Sequence, residues 1–74
     1  MRKNLKHDMR KRARIAMGMT NLLMDDINQI RADAQDYDLI CLEESIKDAK
    51  TTLQMLIDNV TEIEYMLYLE NSRE

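Results

Sequence analysis

The segment LICLEESIKDAKTTLQMLIDNVTEIEYML, residues 39–67, decides the fold. Apolar residues recur through it in alternating steps of three and four with no missing step: Leu39, Leu42, Ile46, Ala49, Leu53, Leu56, Val60, Ile63 and Leu67. This spacing places them on one stripe of an α-helix, the seam of a coiled coil about four heptads long. The residues between are mostly polar, among them Glu43, Glu44, Lys47, Asp48, Lys50, Gln54, Asp58, Glu62 and Glu64, as a one-sided helix requires. Thr51 and Thr52 are mediocre helix formers, but the seam passes through them in phase. One helix over about 36–71 is therefore expected, in preference to a break near Thr51 and a three-helix monomer.

Upstream, Leu5, Met9, Ala16, Met19, Leu23, Ile27, Ile30 and Ala34 share a second stripe, with Arg12 inside it near the basic end. At 100° per residue they lie on one face. A first helix over about 4–33 follows, in which Gly18 costs about 1 kcal/mol relative to Ala. The connecting run Asp33-Ala34-Gln35-Asp36-Tyr37-Asp38 contains neither Gly nor Pro. A turn at about 33–36 is expected, with Asp36 as N-cap of the second helix and Asp38 adding charge to its first turn. The fold class is all-α: one domain, residues 1–74, forming an antiparallel helical hairpin rather than a continuous helix or a swapped dimer.

Composition agrees. The chain has 74 residues, no Pro, Phe or Trp, one Gly, 45% hydrophobic and 34% charged residues. All-β folds draw on turn formers, β-branched and aromatic residues, which are scarce here. One Cys and one His exclude an intrachain disulfide framework and Cys- or His-rich zinc sites. There is no Gly-rich phosphate loop and no Glu-x-x-His pair for a di-metal bundle. Asp25 with Asp26, and Glu43 with Glu44, project about 100° apart on a helix, so each pair reads as solvated surface rather than an ion site. The seven Met residues read as fillers of core gaps, and His7 as a surface residue. No catalytic residue, metal or cofactor is expected, and the chain reads as a non-enzyme.

No apolar run approaches the ~20 residues of a membrane span. The stretch Ile15–Met19 after a basic start imitates a secretory signal, but Thr20, Asn21, Asp25 and Asp26 close it. A cytoplasmic location is the expectation.

Two long stripes need more than one neighbour each. Ile57 and Met66 on helix two, with Ile15 and Leu22 on helix one, widen the apolar surface beyond what a single antiparallel helix covers. A homodimeric four-helix bundle is the simplest closed arrangement. Charge is distributed unevenly. Residues 1–14 carry seven basic residues against one acidic, +6, while the remaining four basic and thirteen acidic residues give −9 over 15–74. Arg2, Lys3, Lys6, Arg10 and Arg14 share a face opposite the apolar stripe and are the candidates for contact with nucleic acid or another anion. The competing reading is internal: in a hairpin this segment lies beside Glu62, Glu64, Glu70 and Glu74 and neutralises them. No aromatic residue interleaves with the basic ones for base stacking.

Tyr65, Tyr68 and Leu69 are spaced i, i+3, i+4 and lie off the seam, a compact patch of the kind that recognises a partner protein. In shape the hairpin resembles small helical regulators, among them plasmid copy-number modulators that dimerise into four-helix bundles and touch RNA, and the short helical chaperones of secretion systems. No motif ties the chain to either group, and no residue role carries over. The resemblance implies action by binding. The expected function is that of a small regulatory adaptor or inhibitor, of a kind phages and plasmids encode, which dimerises and docks helix faces on a larger protein. A nucleic-acid-binding regulator and a secretion-type chaperone are the alternatives.

Overall fold

The computed structural model describes residues 2–72, with side chains from Leu5 to Ser72. Two helices of 34 residues each, α1 (Arg2–Gln35) and α2 (Leu39–Ser72), pack side by side as an antiparallel hairpin 56 Å long, 16 Å wide and 12 Å thick. No break occurs at Thr51 or Thr52. The Thr51 hydroxyl donates to the Lys47 carbonyl at 3.1 Å, and the Thr52 hydroxyl is drawn across the seam, as described below. Both threonines thus satisfy their polar groups without interrupting the helix.

The reversal falls later than the sequence suggests. α1 continues through Asp33, Ala34 and Gln35, and the expected turn at 33–36 is corrected to 36–38. Asp36 is not the N-cap. It closes α1 instead, its N–H donating to the Ala32 carbonyl at 3.0 Å. Tyr37 follows at φ 55°, in the left-handed region usually given to Gly at this position of a helix end. Its N–H donates to the Ala34 carbonyl at 3.2 Å, and the Asp38 N–H to the Asp33 carbonyl at 3.0 Å. That pair of bonds is a Schellman cap, which satisfies carbonyls that the helix end would otherwise orphan. Asp38 then caps α2: its carboxylate accepts the Cys41 N–H at 3.1 Å and its carbonyl accepts the Leu42 N–H at 2.9 Å. The bond from the Cys41 backbone holds the Asp38 carboxyl below the usual carboxylate range. Its hydrogen bond to that same carboxylate, with the carboxylate's charge, pushes the Cys41 thiol up.

Between Leu5 and Ser72, every residue that is not exposed lies on one seam. On α1 these are Leu5, Met9, Arg12, Ala16, Met19, Leu23, Asp26, Ile30 and Asp33. On α2 they are Leu42, Ser45, Ala49, Thr52, Leu56, Asn59, Ile63, Met66 and Glu70. Both sets alternate in unbroken steps of three and four, the spacing of a two-helix coiled coil. The seam differs from the expected stripes in one consistent way. On α1, Asp26 and Asp33 replace Ile27 and Ala34, which are exposed. On α2, Leu42, Ala49, Leu56 and Ile63 face α1, whereas Leu39, Ile46, Leu53, Val60 and Leu67 do not. Asp26, read from sequence as solvated surface, is thus a seam residue, because Thr52 stands opposite to receive it.

Two residues depart from local preference without a packing reason. Tyr37 is 78% exposed in its left-handed conformation, and a Cβ on Gly18 would meet nothing within 4 Å. Tyr37→Gly and Gly18→Ala are each expected to stabilise the fold by about 1 kcal/mol, raising the melting temperature by about 4–8 °C. Thermal circular dichroism of both variants checks this.

Candidate functional site

Three polar latches cross the seam. Near the turn, the buried Ser45 hydroxyl donates to Asp33 Oδ2 at 2.5 Å while Gln29 Nε2 donates to Oδ1 at 2.9 Å. In the middle, the Thr52 hydroxyl donates to Asp26 Oδ2 at 2.8 Å. Towards the open end, Arg12 Nη1 donates to Asn59 Oδ1 at 3.3 Å, and Asn59 Nδ2 donates to the Arg12 carbonyl at 2.7 Å. Asp33 and Asn59, at 7% and 5% exposure, are among the least accessible residues described, and Ala49 is the only buried apolar one among them. Sequence reading placed Arg12 in the stripe but missed Asp26, Asp33, Ser45, Thr52 and Asn59. A signal existed: Ser45, Thr52 and Asn59 recur every seventh residue, on the same line of the helix.

These latches fix alignment rather than supply chemistry. A slip of α2 along α1 would leave the Asp33 carboxylate in the seam without its Ser45 donor, with only Gln29 of its own helix remaining, and under-satisfying a buried charged group costs about 1–3 kcal/mol or more. Among the described residues, no group of three or more His, Cys, Asp or Glu side chains is placed to hold a metal ion.

Because the latches occupy the seam, the strongest apolar line of α2 is left outside. Leu39, Ile46, Leu53, Val60 and Leu67 recur every seven residues and are each 43–56% exposed. When two antiparallel helices meet through a coiled-coil seam, equivalent flanking positions share one side of the pair. That side therefore joins the α2 line to Lys6, Ala13, Thr20, Ile27 and Ala34 of α1, with Lys6 its one charge, at the open end. Outside them run Met17 and Met24 on α1 and Ile57 on α2, all exposed. The opposite side, with Ile15, Leu22, Met55 and Leu69, is interrupted by Asp8, Asp48 and Glu62. Open grooves there run over Arg12, lined by Ile15 and Met66 and, further along, by Met19, Met55 and Asn59.

The candidate partner patch, Tyr65, Tyr68 and Leu69, lies on the outer surface of α2 and is exposed, Tyr68 most of the three. Lys6, Arg10 and Arg14 are exposed on the neighbouring end of α1. The side chains of Arg2 and Lys3 lie outside the described residues, as does Glu74. Glu70, at the same end of α2, is half-buried and already has an interaction partner, whereas Glu62 and Glu64 are exposed. His7 is exposed. No helix is long and apolar enough to cross a membrane among the described residues.

Compared with protein-family models, curated proteins and solved structures, the chain matches none. Its class is accordingly that of its architecture, an all-α hairpin of two long helices.

The Asp33–Ser45 latch is open to a double-mutant cycle. Ser45→Ala is expected to cost about 1–3 kcal/mol, since it removes a donor from a buried carboxylate. Combined with Asp33→Ala, the loss should fall short of the two single losses together by about 0.5–3 kcal/mol. Urea unfolding measures all three variants, and strict additivity would mean that the pair does not set the alignment.

Proposed function

We propose that this chain is a non-enzymatic binding protein that dimerises into a four-helix bundle and acts as a small adaptor or inhibitor on a larger protein. The observation that carries the reading is the uncovered side holding Leu39, Ile46, Leu53, Val60 and Leu67. A helix shared between two neighbours needs an apolar stripe wider than a two-stranded seam. α2 has that width, and α1 uses only part of it. The face is 56 Å by 16 Å, a footprint of about 900 Å², comparable to the ~800 Å² per partner of a stable interface.

Dimerisation consumes that side and leaves the Tyr65–Tyr68–Leu69 patch outward. Two tyrosines and a leucine in one cluster offer rigid contact area with polar tips, the composition favoured where proteins recognise one another. The patch is the surface proposed to meet the larger protein. A second reading, nucleic-acid binding through Lys6, Arg10 and Arg14, is supported by their exposure at four-residue spacing along one face of α1.

Light scattering on the eluting protein is expected to give twice the 8.8 kDa chain mass. Leu53→Asp should reduce it to one chain, because the charge would enter the proposed interface without a partner. A wild-type monomer at tens of micromolar, fully helical and melting cooperatively, overturns dimerisation.

Substituting Tyr65→Ala, Tyr68→Lys and Leu69→Ser together should abolish capture of the partner protein from the native host while leaving dimer mass and melting temperature nearly unchanged. Loss of stability with capture intact would make the patch packing rather than interface. Recovery of nucleic acid instead, lost steeply with salt and on reversing Lys6, Arg10 and Arg14 to Glu, would establish the second reading.

A further inference from the structure

The uncovered side carries more than apolar surface; its outer border carries a charge pattern. On α1 that border reads Arg10, Met17, Met24, Arg31, and on α2 it reads Glu43, Lys50, Ile57, Glu64, all of them exposed. The two series match in position. Arg31 and Glu43 stand equally far along the chain from Tyr37, the centre of the turn, and so do Arg10 and Glu64. Because the arms are antiparallel, residues equidistant from the turn lie at about the same height. Within one hairpin these residues are on the outer edges of two different helices.

We infer that two copies pair with their turns at the same end, so that α1 of each lies against α2 of the other. This rests on the dimer proposed above and specifies its geometry. A twofold axis along the hairpin brings each height of α1 against the same height of the second copy's α2. Arg10 then meets Glu64 of the second copy, Arg31 meets Glu43 of the second copy, and Met17 meets Ile57 of the second copy. Size matches as well as charge. Ala13, Thr20 and Ala34 make three of the five positions on the α1 line small, beside Ile27 and the terminal Lys6, and that line faces the uniformly large α2 line headed by Leu39 and Ile46.

The other twofold arrangement, turns at opposite ends, lays each helix along its own copy. The arginine-bearing border of α1 would then run beside a second arginine-bearing border, and the glutamates of α2 beside glutamates. Like charges across an interface oppose binding and select against it. Large side chains would also meet large ones on one half of the interface and small meet small on the other, leaving either overpacking or voids.

The single cysteine provides the test. Cys41 is exposed, lies close to the turn and is off the proposed interface. A spin label on Cys41 of the otherwise unaltered protein reads the distance between the two turn ends, with light scattering on the same sample to establish the dimer. With turns together, the labels should lie within about 30 Å; with turns apart, helices rising 1.5 Å per residue separate them by about 50 Å. A dimer with the long distance overturns the same-end arrangement and leaves dimerisation standing. A monomer overturns both. As a second readout, Arg10→Glu with Arg31→Glu is expected to raise the dimer dissociation constant about tenfold or more, by making four border pairs repulsive. An unchanged constant overturns the proposed pairing.

Discussion

Hydrogen bonding between Asp33 and Ser45, Asp26 and Thr52, and Arg12 and Asn59 is the constraint on which the hairpin depends. A seam built only of Leu, Ile and Met would tolerate rotation of α2 about its own axis, because dispersion and water exclusion have no direction. A carboxylate with two donors does have one. Burying Asp33 is tolerable only with its donors in place, and because Gln29 lies on α1 itself, it is the Ser45 hydroxyl of α2 that orients one helix against the other. The apolar residues Leu23, Ile30, Leu42 and Leu56 then fill the layers between latches.

The cost of that choice is a thin interior. Three of the four buried residues described are polar, and the fourth is an alanine. Large apolar side chains on α2 stay at the surface, although they form its best heptad line. In a hairpin acting alone this arrangement would be a poor use of sequence. It becomes economical if α2 serves two interfaces, one polar and aligning, the other apolar and adhesive. Division of labour of this kind is common in bundles, where polar core positions specify alignment and neighbouring apolar ones supply most of the association energy.

The turn shows the same priority of satisfied backbone groups over local preference. A tyrosine in the left-handed region costs roughly 1–2 kcal/mol of conformational energy, yet Tyr37 adopts it, because the Schellman bonds and the Asp38 cap together satisfy the ends of both helices. The polar run 33–38 divides its work: Asp33 goes into the seam, Asp36 ends α1, and Asp38 starts α2. Three aspartates of similar intrinsic preference take three different positions, and each position follows from its neighbours in space.

What the sequence determined by itself is the helical state of both arms and the involvement of Leu42, Ala49, Leu56 and Ile63, since the 3-4 spacing of apolar residues is a property of one helix. The presence of Arg12 on the inner stripe of α1 was equally legible, because 100° per residue places it there whatever α1 packs against. Only the tertiary structure decided which flank of the α2 stripe faces α1, that Asp26 and Asp33 enter while Ile27 and Ala34 leave, and that α2 begins after Asp38. The first two outcomes depend on pairs of residues on different helices, Ser45 with Asp33, Thr52 with Asp26 and Asn59 with Arg12, and the third on the backbone and carboxylate bonds around Tyr37 and Asp38. Hydrophobic periodicity carries no information about which polar group will stand opposite another, since that is settled by the alignment of two helices in space.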